Sequence, residues 1–184
     1  LILHWDQYFG NDASDVQNAR ESENISTDTK KPPVMMTMLL AWISFWVAIS
    51  VNAEVGPYIA LAIGASLPLI MRKHEIVFYD RLSIALTALI SVFALVTNQT
   101  LLALVFSYLG FGLMWFLSCF TKEPVCAAYV KFDYSGEDAL HNPIFMKTNY
   151  IIAAGWGILY IVMAIWTYLF GETAFADAIL MLNN

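Results

Sequence analysis

The sequence predicts an all-α protein that crosses a membrane several times, and three observations support this fold class. Of the 184 residues, 59% are hydrophobic and only 13% are charged, whereas a soluble domain is about one-half apolar and about one-quarter charged. The apolar residues fall into five long runs, and no ionisable residue lies at the middle of any run. Because lipid offers the backbone no hydrogen-bond partner, spans of this composition are expected to be helical.

The chain divides into a polar tail and an apolar body. Residues 1–33 are acidic and have few apolar side chains to bury, so we expect most of this tail to be flexible. The body, residues 34–184, is predicted to be a bundle of helical hairpins with spans at 34–51, 55–71, 79–96, 100–120 and 149–170. Residues 175–182 are apolar but too short to span, so they either begin a truncated sixth helix or lie at the membrane interface.

The distribution of basic residues predicts the orientation in the membrane. With five spans, all nine lysines and arginines fall before the first span, between the second span and the first residues of the third, or between the fourth and fifth. The turns on the opposite side, NAEVG, TNQT and GETA, contain none. Basic loops remain in the cytoplasm, so we expect the tail and the polar segment 121–148 to be cytoplasmic.

The composition and the motifs argue against several classes of function. The net charge of −6, with many acids in the tail, argues against a nucleic-acid partner. Two cysteines make neither a disulfide framework nor a four-ligand metal site, and no GxSxG, HExxH or P-loop motif occurs. We therefore predict no catalytic residue, no metal and no cofactor. The expected partners are the lipid bilayer and other membrane proteins or a second copy of the chain.

Small and hydroxyl residues recur at helical spacing on three predicted spans. These stripes are Gly56, Ala60 and Gly64, then Ser83, Thr87 and Ser91, and finally Asn149, Ala153 and Gly157. We interpret them as surfaces on which helices pack closely. The alternative is the polar pathway of a small-molecule carrier, with a water-filled cavity lined by the hydroxyls. Ion-coupled carriers usually need an ionisable residue within a span, but Glu54 and Asp80 lie at helix ends, where we expect water and headgroups.

Residues 121–148 form a long polar passage between two apolar runs. Pro124 is predicted to begin a short helix, and Ser135 is a predicted helix cap. The Asn142–Pro143 pair is predicted to impose an extended backbone before the last span. We predict an amphipathic segment that lies on the cytoplasmic surface of the membrane. An enzyme acting on lipid at this interface is the least favoured alternative, and it would need convergence of Lys122, Asp133, Asp138 and His141 around one pocket.

One family shares the order of motifs in the second half of the chain. Lys122 and Pro124, then a polar segment, NPIF, Asn149 and WG in an apolar helix resemble the intracellular septation protein A family of small bacterial inner-membrane proteins. The resemblance covers about residues 101–170, and this chain departs from the family in Glu123 and in its acidic tail. The resemblance implies an inner-membrane location and a non-catalytic scaffold or accessory role in envelope maintenance or cell division.

The resemblance also implies which residues hold the structure together or contact partners. They are Lys122, Pro124, Asn142, Pro143, Phe145, Asn149 and Trp156. We expect Lys122 to mark the cytoplasmic boundary, and Asn142 with Pro143 to fix the direction of the last helix. Asn149 is predicted to hydrogen-bond to a neighbouring helix. Trp156 is predicted to fill a groove beside the glycines that flank it.

Overall fold

The computed structural model describes residues 31–134 and 136–171, and it confirms the all-α class for this part of the chain. The α-helices are α1 Met35–Val51, α2 Gly56–Ile70, α3 Phe78–Thr97, α4 Thr100–Ser118, α5 Val125–Val130 and α6 Pro143–Phe170. Short 3-10 turns cover Met71–Lys73, Lys131–Asp133 and Gly136–His141. The predictions for most of the tail, for Ser135 as a cap and for residues 175–182 lie outside the described residues.

Three of these helices are long and apolar enough to cross a membrane, which is fewer than the five spans predicted. They are α3 with 20 residues, α4 with 19 and α6 with 28. The apolar helix α1 has 17 residues and α2 has 15. At 1.5 Å per residue these two are about 25 Å and about 22 Å long, shorter than the roughly 30 Å of a hydrocarbon core.

The last helix begins at Pro143 rather than at the predicted Asn149. Asn142 has the extended backbone predicted before a proline, with φ −81° and ψ 115°. Its side-chain Oδ1 accepts hydrogen bonds from the backbone nitrogens of Ile144 at 2.9 Å and Phe145 at 3.3 Å. This N-cap, together with a proline in the first turn, explains the earlier start.

The contact between α4 and α6 is close, and it depends on glycine. A Cβ atom added to Gly157 would lie 2.7 Å from the Cβ and backbone nitrogen of Phe116. A Cβ atom added to Gly112 would lie 2.8 Å from the backbone nitrogen of Ile161. Each helix therefore presents a glycine to the backbone of the other, as predicted for a packing surface that includes Gly157.

Aromatic side chains fill the core between α1, α4 and α6. Trp42 and Phe111 are buried, with ring centroids 5.3 Å apart in an edge-to-face arrangement. Trp46 stacks on Tyr160 at 5.4 Å, and its Nε1 donates to Ser107 Oγ at 2.9 Å. These contacts hold the α1–α2 hairpin against the α4–α6 pair, because rings in such geometries attract each other beyond their area of contact.

The hydroxyl stripe on α3 is satisfied within its own helix. Thr87 Oγ1 donates to the carbonyl of Ser83, and Ser91 Oγ donates to the carbonyl of Thr87, each at 2.8 Å. Ser83 Oγ lies 3.5 Å from Met114 Sδ on α4. All three side chains are buried, so this stripe is a packing surface between helices.

The basic residues of the bundle lie together at one end. We call this the polar end: it comprises the starts of α1, α3 and α6, the ends of α2 and α4, and residues 71–77, 119–134 and 136–142. Contacts join these parts, since Tyr150 Oη donates to the Thr121 carbonyl at 3.0 Å and His74 Nδ1 lies 3.0 Å from the Pro32 carbonyl oxygen. From Pro32 to Gly171, every lysine and arginine belongs to this end: Arg72, Lys73, Arg81, Lys122, Lys131 and Lys147.

Candidate functional site at the polar end

A buried carboxylate joins three helices at the polar end. Asp80, in the first turn of α3, is 1% exposed. Its Oδ1 accepts a hydrogen bond from Tyr129 Oη of α5 at 2.8 Å, and Thr37 Oγ1 of α1 lies 3.5 Å away. Its Oδ2 accepts from the backbone nitrogen of Val77 at 2.9 Å. A carboxylate at a helix N-terminus is favoured by the free N–H groups there, and these partners compensate for its burial.

The expectation that Asp80 meets water was wrong, although its place at a helix end was predicted correctly. The helix α5 covers the carboxylate and removes it from solvent. An acidic residue in the first turn, before an apolar run, is a known helix-start signal. That signal could have assigned the capping role, but only the tertiary fold shows which tyrosine covers it.

The first part of the polar segment packs into the bundle instead of lying on its surface, which corrects the amphipathic prediction there. Pro124 and the whole of Val125–Tyr129 are buried. The reason is composition, because VCAAY is apolar or small on every side, and a helix without a polar face is expected to be buried. Tyr79 Oη donates to the Glu123 carbonyl at 2.8 Å and fixes the start of this segment to α3.

In the second part of the segment, residues 131–134 and 136–142, the charged side chains are exposed except that of Lys131. Lys131 is buried, and its Nζ lies 2.5 Å from both Glu123 Oε1 and Glu137 Oε1. Burial lowers the pKa of Lys131, but the hydrogen bonds and the negative charges of the two carboxylates together raise it more, so its pKa is raised overall. The ammonium therefore stays charged and ties both halves of the segment together.

Neither cysteine has the environment of a reactive thiol. Burial, with a smaller contribution from the nearby Cys119, raises the pKa of Cys126 to about 11. Burial also raises the pKa of Cys119, whose Sγ lies 3.6 Å from the Tyr150 carbonyl oxygen. Catalytic cysteines have a lowered pKa, so both residues are structural here.

We expect alkaline pH to destabilise the polar end. The pKa of Cys126 rises from 9.0 to about 11 on folding, so the folded chain holds this proton more tightly than the unfolded chain. Its stabilising effect is complete below pH 9 and is lost as the pH rises towards 11. Burial and the adjacent Asp80 carboxylate raise the pKa of Tyr129, and the pKa of Lys131 is also raised, so both add loss in the same direction at higher pH.

Thermal unfolding followed by tryptophan fluorescence between pH 8 and pH 11 measures this effect. The melting temperature should fall across the range, and the fall should be shallower in Cys126→Ala. A melting temperature independent of pH would contradict the prediction. If the melting temperature of Cys126→Ala falls equally steeply, the Cys126 thiol contributes nothing to the pH dependence.

The residues that the family resemblance marked are spread through the polar end and α6. Lys122 and Pro143 are exposed, while Pro124 and Phe145 are buried. The ring of Phe145 meets that of Tyr134 edge to face at 5.5 Å, which ties α6 to the polar segment. Asn142 caps α6, consistent with its predicted role in setting the direction of that helix.

Two residues of that set differ from the roles predicted for them. Asn149 is buried, but its Nδ2 donates to the Phe145 carbonyl of its own helix at 2.8 Å instead of reaching a neighbouring helix. Side chains in lipid-facing helices commonly satisfy themselves in this way. Trp156 is 45% exposed, with its ring 6.2 Å from that of Trp115. It lines the edge of the α4–α6 contact and leaves Gly157 to make the close approach.

The structure does not bring the candidate enzymatic residues together. Lys122, Asp133, Asp138 and His141 are all exposed. Among residues 31–134 and 136–171, none of their side chains is hydrogen-bonded or ion-paired to another member of the set. The same part of the chain holds no group of three or more histidine, cysteine or acidic side chains arranged to bind a metal.

Comparisons of this chain with protein-family models, with curated proteins and with solved structures find no match. The fold alone therefore defines the class: the described residues 31–134 and 136–171 are all-helical, with three helices long and apolar enough to cross a membrane and a shorter apolar one.

Proposed function

We propose that this chain is an integral protein of a bacterial inner membrane, in which α1, α2, α3, α4 and α6 all cross the bilayer. The polar end lies in the cytoplasm and binds other membrane proteins or a second copy of the chain, as a non-catalytic scaffold or accessory subunit in envelope maintenance or cell division. The alternation of basic and non-basic ends supports the orientation. The family resemblance of residues 101–170 supports the cellular role.

The observation that carries the proposal is that buried side chains hold the polar end in one arrangement. Asp80 joins α1, α3 and α5, and Lys131 joins two acidic residues of the polar segment. Buried hydrogen-bonded groups of this kind rigidify a region because every alternative arrangement leaves a polar group unpaired. A rigid surface binds a partner at a smaller entropic cost than a mobile one.

The exposed residues on this scaffold are suited to contacts with another protein. Lys122, Asp133, Asp138, His141 and Lys147 are exposed, as are the rings of Phe132 and Tyr134. Charges of both signs around aromatic side chains are typical of the rim and core of a protein interface. They also lie beside the buried segment, so partner binding can be sensed by the bundle.

A carrier function is less favoured by the interior of the bundle. Ser83, Thr87, Ser91 and Asn149 are buried, and three of them donate to carbonyls of their own helices. A carrier pathway would need these groups to face water or a ligand. A lipid-modifying enzyme is less favoured still, because its candidate residues are dispersed.

Charge reversal on the polar segment tests the partner proposal. The tagged full-length chain would be cross-linked in native membranes, extracted in mild detergent, and its co-purifying proteins quantified by mass spectrometry. We expect one stoichiometric partner or a second copy of the chain. The double variant Lys122→Glu with Lys147→Glu should lose it by about tenfold or more, because each reversal replaces an attraction across the interface with a repulsion.

The matched control is Arg72→Glu with Lys73→Glu, which makes the same change of charge at the same end but on the α2–α3 loop. It should retain the partner, and both variants change the basic bias of the cytoplasmic side equally. If both variants lose the partner equally, the cause is a change in membrane orientation or in total charge, and not the loss of a contact at Lys122 and Lys147. A bare monomer without a partner from the unmodified chain would contradict the proposal.

A further inference from the structure

An apolar groove runs along the α1–α2 hairpin at the end of the bundle opposite the polar end. Its volume is about 390 Å³, within the range of roughly 300–1,000 Å³ typical of small-molecule sites. It is lined on α1 by Ser44, Val47, Ala48 and Val51, at the turn by Asn52, and on α2 by Val55, Ile59 and Ile63. These positions recur at helical spacing, so the groove follows the helix axes.

The direction of the groove suits a lipid chain. From Ser44 to Val51 it extends about 10 Å along α1, starting at the turn and descending towards the middle of the bundle. The side chains of Val47, Val51 and Ile59 are 56%, 82% and 44% exposed, so the groove opens outward. If the hairpin crosses the membrane, the turn lies at headgroup depth, and an acyl chain enters the groove parallel to the helices.

The mouth of the groove carries an acidic side chain and an amide side chain. Glu54 is exposed between Asn52 and Val55, which both line the groove. Asn52 Oδ1 accepts from the backbone nitrogens of Glu54 and Val55, each at 2.9 Å, which leaves the amide NH₂ as a donor at the rim. The described turns of this end, residues 51–56 and 97–100, contain no basic residue, so an anionic headgroup gains no ion pair here.

We propose that this groove binds one acyl chain of an aminophospholipid such as phosphatidylethanolamine. The ammonium group of the lipid pairs with the Glu54 carboxylate, and its phosphate accepts from the Asn52 amide. The inference depends on the proposal that α1 and α2 cross the membrane, but it is independent of any partner at the polar end.

Photo-crosslinking of the full-length chain in phosphatidylcholine nanodiscs tests it, with phosphatidylethanolamine carrying a diazirine on one acyl chain as the probe. Mass spectrometry should find more label on residues 44–63 than on the outward face of α3, where Leu89 is 68% exposed. Ile59→Trp and Val47→Trp, which fill the groove from its two sides, should each reduce that label by about tenfold. Leu89→Trp, on the lipid-facing surface of α3, should leave it unchanged.

A second experiment tests the contact between the lipid headgroup and Glu54. Replacing the probe with a diazirine phosphatidylglycerol should give weaker groove labelling, and Glu54→Gln should reduce the preference for the ethanolamine lipid by about two- to fivefold, as expected for one exposed ion pair. Equal labelling of the groove and of α3, or equal labelling by the two lipids, would overturn the proposal. Absence of groove labelling, together with a dimer of the chain in native mass spectrometry of the nanodiscs, would replace the lipid with a second copy of the chain.

A separate experiment tests whether the α1–α2 hairpin crosses the membrane. Val47→Cys should resist a membrane-impermeant maleimide applied to either side of proteoliposomes, with the parent chain and its two native cysteines as the background. Rapid labelling of that cysteine would show that α1 lies outside the bilayer and would overturn the lipid groove for that reason.

Discussion

Replacing Asp80 with alanine is expected to destabilise the folded chain by about 3 kcal/mol. The change removes a helix-capping contact to Val77, worth about 1 kcal/mol. It also leaves the buried hydroxyl of Tyr129 without its acceptor, at a cost of about 1–3 kcal/mol. The measurement is the free energy of unfolding from a denaturing-detergent titration followed by tryptophan fluorescence, and Arg81→Ala, at the exposed neighbouring position, is the control.

A double-mutant cycle isolates the contact between α3 and α5. Tyr129→Phe should cost about 2 kcal/mol because a buried carboxylate loses a hydrogen bond. Asp80→Asn should cost less than the alanine variant, since the amide oxygen keeps an acceptor for Tyr129. The combined Asp80→Ala and Tyr129→Phe variant should be more stable than the sum of the single effects by about 1–2 kcal/mol. Strict additivity would mean that the two side chains do not interact in the folded protein.

Replacing Gly157 with leucine is expected to separate α4 from α6. A side chain at this position would overlap the backbone of Phe116, which lies 2.7–2.8 Å from the added Cβ. Backbone atoms cannot move aside without shifting a whole helix, so the loss should be at least the roughly 1–3 kcal/mol typical of overpacked cores. The same detergent titration measures it, and the yield of monodisperse protein reports complete failure to fold.

The control for this substitution lies in the same helix. Gly155→Leu introduces the same side chain at a position where nothing lies within 4 Å of the added Cβ. Both variants gain the same helix propensity over glycine, so only the contact with Phe116 separates them. We expect Gly155→Leu to be close to neutral. Similar losses in the two variants would mean that α6 does not pack on α4 through Gly157.

The hydropathy of the sequence predicted the helices because their apolar runs are continuous and bounded by turn residues. The predicted third span, 79–96, and α3, Phe78–Thr97, differ by one residue at each end. The start of α6 was missed because a run of polar residues hid its first turns. The cap by Asn142 and the proline after it give the true start, and the sequence predicts an extended backbone at the same pair.

The arrangement of the polar end could not be predicted from local sequence. The sequence places Asp80 at a helix end and predicts water and headgroups near it, yet Tyr129, far along the chain, buries it. Asn149 was expected to reach another helix, but a carbonyl of its own helix is nearer. In each case tertiary packing decides which group is the hydrogen-bond partner. The spacing of residues along the chain does not reveal that packing. The stripes on α3 and α6 were predictable as packing surfaces, because lipid provides no other strong force between helices. On α2, a Cβ added to Gly56 would meet the Ala48 carbonyl oxygen of α1 at 2.5 Å, but nothing lies within 4 Å of one added to Gly64, so that stripe packs closely only at its first glycine.

Cysteine accessibility from the two sides of a sealed membrane tests the central claim most directly. Single cysteines would replace Glu54 and Asn98 at one end and Arg72 and Lys122 at the polar end, and each would be labelled with an impermeant maleimide from either side. Five crossing helices predict that the cysteines at 72 and 122 react only from the cytoplasmic side, and those at 54 and 98 only from the other. Labelling of position 54 from the same side as position 72 would mean that the α1–α2 hairpin does not cross the membrane, and would contradict the account.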